Sequence, residues 1–418
     1  MGATAMSETW TEGEGRPISG GLSRLAWGMV LLGLGGFVAA LLLGDPQIAW
    51  RAYLVNFLLF SAIAQGGLAV SAMASTVRVY RSSLPQLAEA FSAFFPVSLL
   101  LFLGLIPGAE HVFPWLEQEF GGGKDLWLSL PFLFTRDAAA LVLLYALGSL
   151  YLYYTLWLRV GGSVSHGGLR RGLAGLWSRR NPDRETYARR RFVLGILYLI
   201  AFTVVLSLIG YDLVMAAEPH WYSTLFGAYS FIKAIFVGIG ALIILAAALH
   251  MGRSVRMEIA SWEYIDIGKL FLAFCLLWAD FFYCQLVVIW YGNIPEETAY
   301  VITRTVLPPW NVMAGTIFAA GFVLPFLVLL NRKIKTVPAA MIGLSCVVIV
   351  GMWLEHYLLL APALGGAEST VLPLSWADPV ISLAFLGIMI LVVLGYLNQF
   401  PETLEPVEGS LLRGTGGS

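Results

Sequence analysis

Of the 418 residues, 58% are hydrophobic and only 12% charged, and the mean hydropathy is +0.78. A soluble domain carries roughly 25% charged residues, so the composition is that of a polytopic membrane protein. The net charge of −1 implies no bulk electrostatic partner and argues against nucleic acid.

Residues 1–22 are polar, acidic and Gly-rich, with no basic n-region and no small-residue cleavage site, which predicts a disordered cytoplasmic tail rather than a signal peptide. Apolar runs follow at about 23–43, 51–75, 87–107, 132–157, 192–217, 224–249, 267–291, 310–330, 338–361 and 377–397. Each is near the ~20 residues a helix needs to cross hydrocarbon, where backbone polar groups must be satisfied internally. The expected fold is an all-α integral membrane domain of about ten spans over residues 23–397, with a second cytoplasmic tail at 398–418. Gly33-Leu34-Gly35-Gly36 falls inside the first run and reads as close helix packing, not a phosphate loop.

Basic residues alternate between loops. Arg78 and Arg81 follow span 2, and Arg159, Arg170, Arg171, Arg179, Arg180, Arg184, Arg189, Arg190 and Arg191 lie between spans 4 and 5. Arg253 and Arg256 follow span 6; Arg332, Lys333 and Lys335 follow span 8. In the other loops Lys124 stands among Glu110, Glu117, Glu119 and Asp125, and Arg304 faces Glu296 and Glu297. The asymmetry places both termini in the cytoplasm and the short Glu218-Pro219-His220 crossing on the outer side. The arginine-rich loop reads as the topology anchor in preference to an anionic-lipid site.

Polar residues inside the spans sort by depth at about 1.5 Å per residue. Arg136, Asp137, Asp212, Glu355 and His356 lie near the outer face, Lys233 and Asp280 at mid-membrane, and Glu89, Asp266 and Lys269 near the inner face. Blander roles exist: Lys233 and Asp280 as a structural ion pair, His356 as an interhelical hydrogen bonder, Arg136 neutralising a carboxylate. Taken together, such groups are the usual material of a proton path. The expected path has Asp280 and Lys233 at the centre, Glu355 and His356 toward the outside, and Asp266 and Lys269 at the cytoplasmic mouth, with Asp280→Asn impairing proton coupling. Cys275, Cys284 and Cys346 form no CxxC, and only His356 lies well inside a span, so no metal, iron–sulfur or haem ligand set is expected.

Several stretches carry a resemblance: Tyr53–Gly67, Ala90–Leu103, Leu130–Asp137, Asp212–Tyr229 with its PHWYST, Gly268–Pro295 with FYCQLVVIWYGNIP, and Gly351–Tyr357. Over about residues 25–395 the chain resembles the NrfD/PsrC-like membrane subunits of quinone-linked oxidoreductases, most of all the second, shorter one of the bacterial alternative complex III. The resemblance implies two four-helix bundles, spans 2–5 and 6–9, flanked by spans 1 and 10. It implies an inner-membrane subunit with no redox centre of its own. The expected partners are a sister NrfD-like subunit, small membrane subunits, lipid, and periplasmic subunits carrying haem c and iron–sulfur clusters. It implies a quinol site at the outer end of the first bundle, where Arg136, Asp137, Asp212 and His220 lie. A secondary transporter and a purely structural anchor are the rival readings; a transporter would favour broken helices at its site.

Overall fold

The computed structural model describes residues 20–78, 82–160, 172–173, 175–177, 183–252, 257–366, 372 and 374–404. Most of the N-terminal tail, the tail beyond 404, and Arg81, Arg170, Arg171, Arg179, Arg180, Arg253 and Arg256 lie outside the described residues. All regular structure among the described residues is helical, and ten segments are long and apolar enough to cross a membrane. They are span 1 (Gly20–Leu43), span 2 (Pro46–Thr76), span 3 (Leu84–Val112), span 4 (Leu130–Val160) and span 5 (Arg184–Leu213). Span 6 (Phe226–Met251), span 7 (Ser261–Gly292), span 8 (Trp310–Leu330), span 9 (Pro338–Leu360) and span 10 (Ala377–Gln399) complete the set.

The helices run past the apolar stretches because polar caps, not hydrophobicity, set their ends. Span 2 starts at Pro46, with Asp45 accepting from Gln47 N at 2.9 Å. Span 5 starts eight residues before its apolar run, with Asp183 accepting from Thr186 N at 3.0 Å. Span 7 starts at Ser261, where the Glu263 carboxylate reaches back to Ala260 N at 3.0 Å. Prolines shape two interruptions. Ahead of Pro96, span 3 tightens into a 3₁₀ segment at Glu89–Phe94. Ahead of Pro325, span 8 widens into a π segment at Ala319–Val323, and the freed Gly321 carbonyl accepts from Cys275 Sγ at 3.4 Å.

Spans 2 and 6 are the central pair, 89% and 83% buried over their apolar windows, against 28% for spans 1, 7 and 8. They meet backbone to backbone. A Cβ on Gly66 would fall on the Ala234 carbonyl oxygen, and one on Gly238 would lie 2.6 Å from the Gly66 carbonyl carbon. In a membrane, where lipid is as apolar as leucine, such small-residue contact is what holds helices together. Around this seam each helix has its own neighbours. Span 2 packs on spans 3 and 5, which both pack on span 4; span 6 packs on spans 7 and 9, which both pack on span 8. Spans 1 and 10 pack along each other and onto span 2. Gly33 of the glycine-rich stretch abuts Ala384 of span 10, the close packing its sequence suggested.

Loop contacts fix two ends. At one, which we call the crossing end, Lys124 donates to the Pro219 carbonyl at 2.6 Å and Arg304 pairs with Glu218 at 3.1 Å. At the other, the arginine end, Arg159 pairs with Glu89 at 2.8 Å and donates to Thr403 at 3.3 Å, while Ser83 N donates to Glu263 at 2.7 Å.

Candidate functional site

The polar residues of the spans gather into three groups. The first lies where spans 4 and 5 approach the crossing end. Arg136 donates to Asp212 through Nη2 at 2.6 Å and Nε at 3.1 Å, and its guanidinium stacks 3.8 Å over the Trp127 ring. The Trp127 indole donates to the other Asp212 oxygen at 2.9 Å. Asp137 is fully buried beside them, 3.7 Å from Arg136 Nε. Two carboxylates thus surround one guanidinium. His220 is exposed on the crossing and is not among the groups that hold this cluster.

The second group is central. Lys233 of span 6 lies 2.9 Å from Glu355 of span 9, and both are at least 95% buried. Lys233 therefore pairs with Glu355, correcting the expectation that it would face Asp280. Asp280 is exposed on span 7, and among the described residues its one hydrogen-bonding neighbour is Cys284 of the same helix at 3.9 Å. Asp280 and Trp278 differ by two residues, about 200° around a helix, and Trp278 is the one that faces inward. Its indole donates to Glu355 at 3.1 Å. His356, buried one residue on, bonds its own helix at the Met352 carbonyl, 2.8 Å, and shares a cavity wall with Lys233. Asp266 and Lys269 pair with each other at 2.8 Å on the exposed surface, at 58% and 64% exposure, which removes them from any interior mouth.

Two cavities approach the Lys233–Glu355 pair. The larger, about 760 Å³, lies toward the crossing end among spans 6–9 and is lined by Trp221, Tyr229, Trp278, Phe282 and Tyr300, with Glu355 in its wall. Arg304 caps it, stacked 3.7 Å over Tyr300, which itself stacks on Trp221 at 3.8 Å. Burial pushes the Tyr300 hydroxyl up from its ordinary value. Arg304 and Tyr300 sit on a short helix, Pro295–Thr305, that hydropathy did not separate from its surroundings. The smaller cavity, about 480 Å³, is lined by Ser61, Gln65, Ser230, Lys233 and His356. The ion pair forms the partition: Glu355 belongs to one space, Lys233 to the other.

The third group runs from the smaller cavity toward the arginine end. Ser61 bonds Ser98 at 2.6 Å, Ser98 bonds Tyr145 at 2.7 Å, and Gln65 donates to Tyr145 at 2.7 Å. About 9 Å further along span 2, Ser71 bonds Tyr151 at 3.0 Å and donates to Glu89 at 3.2 Å, where Arg159 closes the line. Leu68, Phe95 and Tyr198 pack between the two clusters around Gly148. Hydropathy and depth had flagged only Glu89 of this group. Its other members are neutral residues and Arg159, in the last turn of span 4, whose partners depend on how the helices are rotated. No metal-binding cluster of three or more His, Cys, Asp or Glu occurs among the described residues.

No protein-family model and no curated protein matches the chain.

Proposed function

We propose that this chain is a membrane subunit of a bacterial quinol:electron-acceptor oxidoreductase of the alternative complex III type, with both termini cytoplasmic. It carries a proton path while haem c and iron–sulfur clusters reside in partner subunits. The observation that carries the reading is the buried Lys233–Glu355 pair standing between two cavities, with two hydrogen-bonded clusters, separated at Leu68, lying between the smaller cavity and the arginine end. Buried ion pairs contribute little net stability and can be replaced by apolar side chains without loss, so a working role is the better account of this one. Protons enter at Glu89, cross the Leu68–Tyr198 constriction when it moves, and pass from Lys233 to Glu355 and out through the aromatic cavity. The constriction keeps the path from short-circuiting the membrane. Arg136, Asp137 and Asp212 form the candidate quinol end, where a carboxylate takes up a proton released on oxidation.

The test has two stages. Mild-detergent purification should yield haem c absorption and co-migrating redox subunits; a colourless, single-subunit preparation active in solute transport would favour the transporter reading, to which the broken spans 3 and 8 lend some support. In the reconstituted complex, Glu355→Gln should lower the protons moved per electron with quinol oxidation retained. An unchanged ratio would leave Lys233–Glu355 as a structural pair.

A further inference from the structure

Span 7 keeps one face uncovered across the membrane. Ala273, Leu277, Asp280, Cys284, Val288 and Tyr291 fall within roughly 80° of one another at 3.6 residues per turn, and all six are exposed or half-buried. Exposed apolar residues need no explanation on a membrane helix. Asp280 does. It lies eleven residues from Lys269 and eleven from Tyr291, about 16 Å from either end of the apolar stretch. A lysine at that depth could extend its head toward an interface, but the single methylene of aspartate cannot. Cys284 Sγ, 3.9 Å away on the same helix, is too weak a donor to compensate a carboxylate in hydrocarbon.

We propose that this face of span 7 docks a membrane helix of a different protein, which places a lysine or arginine against Asp280. Charge complementarity selects the occupant. A second copy of this chain inserts in the same orientation, and a two-fold axis along the membrane normal would set Asp280 against Asp280. A head-to-tail contact between copies would need an exposed cation at the same depth. Among the described residues the one lysine or arginine in mid-membrane is Lys233, and it is buried against Glu355. The cation comes from another chain. A charge-assisted pair there is stronger than at a surface because no water competes for it. This inference stands apart from the proposed activity: any complex that contains this chain must cover Asp280.

Photo-crosslinking in native membranes tests it. Benzoylphenylalanine placed at Leu277 should give one adduct with a different protein, and mass spectrometry should find the linked peptide in an apolar segment with a lysine or arginine near its middle. The same probe at Val204, exposed on span 5, should label lipid. Adducts at position 277 with lipid alone, with a second copy, or with a segment lacking a cation would overturn the proposal. Asp280→Leu separates docking from lipid exposure without disturbing the interior. Docking predicts at least a tenfold loss of the adduct with the chain still folded, and replacing the partner's cation with leucine should restore it. A lipid-facing carboxylate predicts higher yield of the folded chain and an unchanged pattern.

Discussion

The interiors of the two helix groups solve the same problem differently. Among spans 2–5 the buried polar groups near mid-membrane are neutral and satisfy one another: Ser61, Ser98, Tyr145 and Gln65 form a hydrogen-bonded set. Their charged groups sit at the ends, Arg136 with Asp212 and Arg159 with Glu89. Among spans 6–9 the centre holds a formal ion pair, and the space toward the crossing end is an aromatic cavity. The first interior is a neutral polar core whose two hydrogen-bonded clusters are parted by Leu68, Phe95 and Tyr198. The second is open on one side and closed by charge. Lys233 belongs to a helix of the second group yet lines the cavity shared with the first, so the difference in chemistry is joined at one side chain.

The largest expected effect breaks the seam on which that join depends. Gly66→Val drives two methyl groups into the span 6 backbone at Ala234, and overpacking with no flexible side chain to yield exceeds the usual 1–3 kcal/mol. The folded yield in detergent should collapse, with loss of the monodisperse peak in size-exclusion chromatography. Next, Glu355→Leu alone strands the Lys233 charge and should destabilise by about 3–5 kcal/mol, whereas Lys233→Met with Glu355→Leu should recover most of it. Thermal unfolding followed by tryptophan fluorescence measures both; a double variant with normal stability and normal turnover would make the pair merely architectural. The smallest effect sharpens the contrast. Tyr145→Phe removes one hydroxyl and its two hydrogen bonds from a neutral network and should cost about 1 kcal/mol, at an average of about 0.6 kcal/mol for such bonds between membrane helices. If the first interior carries protons, proton uptake should nonetheless slow severalfold in that variant.

The ten spans were legible because each is an apolar run of bilayer length, and the caps that extend them were legible in principle as Asp45-Pro46 and Asp183. The helix at Pro295–Thr305 carried its own signals, proline at the start with Glu296 and Glu297 in the first turn and Arg304 in the last, but it is too short and polar for a hydropathy scan. At the site, depth was readable and direction was not. Residue number along a helix places Asp280 and Lys233 at one level, but how far each helix is turned about its axis comes from packing against its neighbours. That turn gave Lys233 to Glu355 and sent Asp280 outward. The same limit hid Trp127, whose role depends on a loop folding back over Asp212.

The burial of span 2 bears on how the protein is made. This helix carries Arg51, Asn56 and Gln65, all buried in the finished fold; span 3 packs on it as soon as it is made, but spans 6 and 10, which also cover it, begin about 180 and 330 residues later in the chain, and Arg51 lies 3.9 Å from Asp378 of span 10. At 5–20 residues per second, roughly 10–40 s of synthesis separate span 2 from span 6 alone. Until span 10 brings Asp378 to Arg51, this helix must be held by the insertion machinery or by the early spans. Factors that shelter nascent membrane helices should therefore influence the yield of this protein more than that of chains whose early spans are purely apolar.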